Sequence, residues 1–174
     1  MNTVQHTWSE GKWTNPPVNQ VDEGSDLVAT AAKESDAWRT TSYGFVHDSE
    51  HALLQPFAAG TAMEVTFLCQ LEEQFDQAGL MVRAAADCWV KAGVEYADGI
   101  PQLGAVVTNP YSDWSVAPVS AWQGRMVTVR VSRVDDARTF RARVDAEALQ
   151  VASAGHLPEE LNTTAGPHLA APTR

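Results

Sequence analysis

The chain has 174 residues, 44% apolar and 20% charged, enough for one domain with a substantial core and too few charges for a chain that stays unfolded. With 22 acidic against 12 basic residues its formal charge is −10, which argues against a nucleic-acid partner, because affinity for a phosphate backbone comes largely from Lys and Arg displacing condensed counterions. Its longest apolar runs, such as residues 78–82 and 103–107, fall far short of the roughly 20 residues that cross a bilayer, so no membrane span is expected.

The opening Met1-Asn2-Thr3-Val4-Gln5-His6-Thr7 has neither the basic nor the apolar region of a secretory signal, and a cytoplasmic location is expected. An aperiodic stretch through Pro16-Pro17 and an acidic run over residues 22–26 leads to the first strand candidate, residues 27–31. Residues 43–46 and 52–57 read as further short strands. Between them Val46-His47-Asp48-Ser49-Glu50-His51 reads as a hairpin turn with exposed histidines; the two-histidine zinc motif needs that spacing on a helix, with a Glu beside the first His.

From Met63 to Leu71 every odd position is apolar, as a strand with one buried face requires. Strand candidates follow at residues 78–83, 89–96 and 103–108. Val127, Val129 and Val131 alternate with polar residues, and after Asp135-Asp136-Ala137-Arg138 the alternation resumes at Phe140, Ala142 and Val144, the pattern of a hairpin. Residues 149–153 complete a set of about ten strands. Cys69 and Cys88 lack the spacing of a redox or zinc site and are expected to be reduced packing thiols. The acidic loops at residues 22–26 and 135–136 lack a set of calcium ligands, and there is no phosphate-binding loop, so neither metal nor cofactor is implied.

Short strands at close spacing, with no helical pattern long enough for a crossover, predict an antiparallel all-β domain over residues 1–174, a two-sheet jelly-roll sandwich. Its most informative part is Asp76-Gln77-Ala78-Gly79-Leu80-Met81-Val82-Arg83, followed by Trp89-Val90-Lys91-Ala92-Gly93-Val94-Glu95-Tyr96. With Val82 opposite Val90, Arg83 faces Trp89, Met81 faces Lys91 and Gln77 faces Glu95 on one side, while Leu80, Val82, Val90, Ala92 and Val94 share the other. A face carrying an indole, a lysine, an arginine and a carboxylate suits a polyhydroxylated ligand, the ring stacking on Trp89 while polar groups bind its hydroxyls. The same pattern also describes a solvated face crossed by ion pairs.

These strands, with Trp38-Arg39-Thr40, Tyr43-Gly44-Phe45, Val106-Val107-Thr108 and Ser112-Asp113-Trp114-Ser115 in the same order, resemble the regulation-of-enolase family. The resemblance runs from about Trp13 to the C-terminus and implies a concanavalin A-like lectin/glucanase fold. In that fold the concave sheet usually carries the ligand, so Arg83, Trp89, Lys91 and Glu95, together with Asp113 and Trp114, inherit a candidate binding role, none as an established catalytic residue. Family members usually continue beyond the segment resembling Gly166-Pro167 to Arg174 into one more apolar strand, whose loss would expose a ladder edge.

The expectation is a non-catalytic domain that binds a saccharide or sugar-derived metabolite. Two alternatives stay open: a protein-interaction module regulating a metabolic enzyme, and a glycoside hydrolase. Hydrolysis requires two carboxylates flanking the bond. The Glu-x-Asp-x-Glu string of the glucanases of this fold is absent, leaving Glu95 with Asp113 or Asp36 as the available pair. Trp38 and Trp114 either line a groove or plug a sheet edge, and Tyr43 and Phe45 belong to core or rim.

Overall fold

The computed structural model describes residues 3–159 and 161–174. Its strands, in chain order, are β1 (Lys12–Trp13), β2 (Asn19–Glu23), β3 (Asp26–Thr30), β4 (Ala37–Arg39), β5 (Val46–Asp48), β6 (His51–Pro56), β7 (Ala62–Leu68), β8 (Gln77–Ala85), β9 (Cys88–Ala97), β10 (Ile100–Thr108), β11 (Ser112–Pro118), β12 (Met126–Val134), β13 (Ala137–Val144), β14 (Gln150–His156) and β15 (Thr164–Ala170). Helix among the described residues is confined to two single 3-10 turns, Trp8–Glu10 and Ser120–Trp122.

The strands form an antiparallel β-sandwich. A seven-stranded sheet, ordered β1-β6-β15-β8-β9-β10-β11, packs against a four-stranded sheet ordered β14-β13-β12-β7. The hairpins β2-β3 and β4-β5 stand apart as two-stranded units. Leu80, Val82, Val90, Ala92 and Val94 of the large sheet meet Val127, Val129, Val131, Phe140 and Ala142 of the small one. Burying each Val or Leu there contributes about 1.5–3 kcal/mol, so this seam is the main source of stability. Cys69 and Cys88 are free and buried.

The register of β8 on β9 is the one that the alternation predicts: Val82 lies opposite Val90, Arg83 opposite Trp89, Met81 opposite Lys91 and Gln77 opposite Glu95. Asp98-Gly99 turns β9 into β10 with both residues at positive φ, 55° and 81°, the combination a two-residue hairpin loop demands. The segment around Gly166-Pro167 is β15, between β6 and β8 inside the large sheet, and the edges of that sheet are β1 and β11. Its ladder to β6 is interrupted between Ala165 and His168, where Pro167 has no N–H to donate.

Two expectations are corrected. Residues 43–45 do not form a strand, and only Val46 of that candidate does, opening β5: residues 40–45 close the β4-β5 hairpin, with Thr40, Ser42 and Gly44 at φ of 68°, 64° and 74°. His51 is no exposed turn residue but a buried one opening β6, where its ring accepts from the Ala32 amide at 2.9 Å and binds the Asn15 carbonyl through Nδ1, also at 2.9 Å. The alternation missed β1, β2, β4, β5, β11 and β15, which are short, polar or interrupted by proline; residues 46–48, read as part of a turn, are β5.

The β4-β5 hairpin matters most for the site, because it roofs one end of the outer face of the large sheet. Asp48 on β5 forms a bidentate pair with Arg83 on β8, at 2.9 and 2.8 Å. The Arg39 amide donates to Ser112 Oγ at 2.9 Å, tying β4 to the edge strand β11. Beneath the hairpin Ala37, Ala52, Leu54, Met81, Trp89 and Val106 make a second small core, with Trp38 against it.

Candidate functional site

Beyond that roof the outer face opens into a cleft of about 470 Å³. Its floor follows from strand register. Three glycines, Gly79, Gly93 and Gly104, lie side by side on β8, β9 and β10. A Cβ on Gly93 would collide with the Ala78 carbonyl oxygen and the Gly79 Cα, so these three positions carry no side chain and leave a short trough between His168 on β15 and Val116 on β11. One neighbouring row carries Lys91, Val106 and Trp114, and the other carries Gln77, Glu95 and Gln102.

Aromatic side chains supply much of the wall. Trp38 of β4, Tyr43 and Phe45 of the hairpin turn, and His47 of β5 line the cleft. They form a continuous series: Trp38 meets Tyr43 edge-on at 5.7 Å, Tyr43 stacks on Phe45 at 5.3 Å, and Phe45 meets His47 edge-on at 4.6 Å. Phe75 and Trp114 form a second aromatic pair, with centroids 6.3 Å apart. Phe75 sits in the left-handed region at φ 66°, and its amide donates to the Tyr96 carbonyl at 2.6 Å; for a bulky residue that conformation costs free energy and persists only when neighbours impose it. Glu34 and Asp36, from the segment before β4, and Pro172 and Thr173, after β15, complete the rim. The two segments are joined where the Glu34 amide donates to the Ala171 carbonyl at 3.0 Å.

The six residues singled out in the sequence divide evenly. Lys91, Glu95 and Trp114 line the cleft. Trp89 does not: it is 1% exposed, sealed in the small core beneath the hairpin, and no ligand can stack on it. Arg83 is spent on Asp48 under the same roof. Asp113 pairs with Val107 while Trp114 pairs with Val106, so alternation turns Asp113 to the opposite side of β11 from the cleft. Asp36, weighed in the sequence only as a second carboxylate, stands in the cleft wall beside Lys91. For the aromatic wall the sequence offered Trp38 and Trp114 as groove or edge residues and Tyr43 and Phe45 as core or rim; Phe75 and Glu34 carried no signal.

A buried charge cluster underlies Lys91. Its Nζ lies 3.2 Å from Asp36 Oδ1 and 3.7 Å from Glu50 Oε2, and that same oxygen lies 3.7 Å from His168 Nδ1. Neither carboxylate oxygen of Glu50 and neither ring nitrogen of His168 has a hydrogen-bond partner. Burial pushes Glu50 from 4.5 up to about 7 against the pull of Lys91. It does the same to Glu95, with Lys91 opposing and Asp36 adding. Burial, then the Lys91 charge, press His168 from 6.5 down to about 3. Burial alone would lower Lys91, but Asp36, Glu50 and Glu95 together outweigh it and hold the ammonium above its ordinary value.

These shifts set a pH dependence. A carboxyl raised from 4.5 to about 7 stabilises the folded chain fully below pH 4.5, and that contribution is lost as pH rises through about 7. His168 acts oppositely: its contribution is whole above pH 6.5 and is lost as pH falls toward 3. Two carboxyls against one imidazole leave this cluster losing stability with rising pH between about 4.5 and 7. Glu50→Gln is therefore expected to flatten that slope and to stabilise the chain by about 1–3 kcal/mol at about pH 8. Urea unfolding across a pH series measures it; an unchanged slope would remove Glu50 from the cluster's titration.

Comparison with known proteins places this architecture. The family model described as "Protein of unknown function (DUF1349)" matches residues 13–174. Regulation of enolase protein 1 of Saccharomyces cerevisiae is 38% identical over 109 residues, which are 63% of this chain and 55% of that protein. The match thus spans about half the length of that curated relative. A crystal structure described as that of a functionally unknown protein from Saccharomyces cerevisiae superposes with a TM-score of 0.90 at 30% identity, covering 97% of this chain and 91% of that one. A xylan beta-1,4-xylosidase from Bacillus halodurans C-125 shares the fold alone, with a TM-score of 0.53 at 13% identity over 73% of this chain and 27% of that one.

Proposed function

The chain belongs to the DUF1349 family, and from that premise we propose that it is a non-catalytic binding domain whose cleft takes a saccharide or sugar-derived metabolite. One observation carries the reading: a cleft that joins Gln77, Lys91 and Glu95 of the large sheet to the aromatic walls Trp38, Tyr43, Phe45 and Trp114, with Gly93 and Gly104 lining a small hollow beside the same Gln77, Lys91 and Glu95. Apolar ring faces pack on aromatic walls, and hydroxyls need the few charged and amide groups at the floor. A cleft of about 470 Å³ falls in the range that encloses small ligands. The concanavalin A-like, jelly-roll form of the sandwich and a cytoplasmic location belong to the same proposal. The likeness to a xylosidase supports the fold and not the activity.

Thermal unfolding of the chain with and without a panel of mono- and oligosaccharides tests it, beside Trp114→Ala. A ligand at about 100 times its Kd adds about 2.7 kcal/mol, several degrees in midpoint at this size. The shift is expected to vanish in Trp114→Ala while the midpoint of that variant without ligand falls only slightly, since Trp114 is 38% exposed. No shift with any sugar overturns the reading. Release of reducing ends from polysaccharides, abolished in Glu95→Gln, would instead favour a glycoside hydrolase.

The name of the yeast relative favours a second reading, a protein-interaction module that regulates a metabolic enzyme. Sedimentation of the chain with purified enolase tests it, and independent migration of the two proteins counts against it.

A further inference from the structure

The charges in the cleft are unbalanced. Glu34, Asp36 and Glu95 line it against one lysine and one imidazole, Lys91 and His47. Lys91 is already committed, to Asp36 at 3.2 Å and Glu50 at 3.7 Å. Among the described residues neither Glu34 nor Glu95 belongs to an ion pair. An incoming phosphate or carboxylate therefore meets carboxylates with no free ammonium or guanidinium among the described residues that line the cleft, in a half-enclosed site where repulsion is stronger than in water, on a chain of net charge −10. A cation meets the reverse: in the floor row Glu95, a carboxylate outside every ion pair among the described residues, hydrogen-bonded to the Trp114 side chain and drawn on by Lys91, and the electron-rich faces of an aromatic wall, which attract ammonium groups.

We propose that the cleft selects an amino sugar, a cyclic polyol bearing a protonated amine, over the neutral sugar of the same skeleton, and rejects sugar phosphates and uronates. The proposal rests on the saccharide reading above and adds the ligand's charge to it. Glu95 is the group that receives the ammonium, from a position flanked by Gln77 and Gln102 across the strands and next to the glycine trough. The other charges acting on it are Lys91 on its own strand and Asp36 from the segment before β4. Burial holds part of the Glu95 population protonated near pH 7. An ammonium beside it displaces that proton, so amino-sugar binding tightens as pH rises from about 5.5 to about 7, and binding of a neutral sugar does not follow that course.

Calorimetric titration of the whole chain at about pH 7 tests this with matched probes: glucose and glucosamine, galactose and galactosamine, N-acetylglucosamine, glucose 6-phosphate, and ethanolamine as an amine without a ring. An amino sugar is expected to bind at least about tenfold more tightly than its neutral parent and its N-acetyl derivative, as a charge-assisted hydrogen bond in a partly dry site provides. Glucose 6-phosphate is expected to be undetectable, and ethanolamine weak. Glu95→Gln should shrink the amino sugar's advantage to within about twofold, with circular dichroism showing the variant folded. A neutral sugar binding as well as its amine, or the phosphate binding best, overturns the charge inference and leaves the saccharide reading standing. Ethanolamine matching glucosamine, or no sugar binding at all, overturns both.

Discussion

Trp89→Ala is expected to destabilise the chain by about 3–5 kcal/mol, which at this size lowers the thermal midpoint by about 6–20 °C. Trp89 is 1% exposed and is the largest side chain of the small core formed with Ala37, Ala52, Leu54, Met81 and Val106. Truncating it removes the surface on which the β4-β5 hairpin sits. That hairpin has only three residue pairs of its own and cannot hold itself together in water. Its other attachments are polar, among them the Arg83–Asp48 pair, the Arg39 amide on Ser112, Arg39 Nε on the Pro110 carbonyl and Asn15 on the Asp48 carbonyl, and exposed or half-exposed pairs contribute little by themselves. The hairpin should loosen with the cavity. Because it carries Trp38, Tyr43 and Phe45 into the cleft, any ligand affinity is lost together with stability. Calorimetric unfolding beside Trp114→Ala separates the two roles: a large drop in midpoint for Trp89→Ala and a small one for Trp114→Ala. A Trp89→Ala chain with an unchanged midpoint would show that the small core contributes nothing to the fold.

The contrast between these tryptophans shows what the sequence could and could not reveal. Alternation along residues 77–96 was enough to pair Val82 with Val90 and to divide the hairpin into an apolar and a polar face, because a one-residue slip would have turned every buried valine outward. The same alternation puts Trp89 and Lys91 on one face, yet one is sealed and the other reaches a cleft. The difference is made by β4 and β5, three residues each, too short for any period and some 40–50 positions away in the chain. Trp114 was found through its resemblance to a family motif, whereas Glu34 and Phe75 reach the cleft on irregular backbone at φ of 60° and 66°, for which residue type gives no signal. The misplacement of Asp113 has a simpler cause: β11 went unrecognised, and without the strand nothing told the sides of Asp113 and Trp114 apart.

Lys91→Met is expected to cost about 3–5 kcal/mol at about pH 8, because it strips the countercharge from buried carboxylates while keeping most of the side-chain volume. Glu50 has no hydrogen-bond partner, so Lys91 at 3.7 Å is its principal compensation. Without the ammonium, Glu50 and Glu95 lose the attraction that opposes burial, and both bind protons more tightly in the folded state. The cost must therefore depend on pH with a definite sign. In acid, where Glu50 and Glu95 are protonated in folded and unfolded chain alike, the variant pays little; as pH rises past about 7 the wild type holds ionised carboxylates against a lysine and the variant holds them against nothing. The gap between the two stabilities should stay nearly constant from about pH 5 to about pH 6 and widen from there to about pH 8, as the wild-type carboxyls ionise. Glu50→Gln introduced into Lys91→Met should recover about 1–3 kcal/mol of the loss at the upper end, since the deepest unpaired charge is then gone. Urea unfolding of the four chains at the two pH values reads the coupling directly. A gap that stays constant with pH would mean that Lys91 supports the floor by packing rather than charge, and the electrostatic account of the cleft, including its preference for a cationic ligand, would lose its foundation.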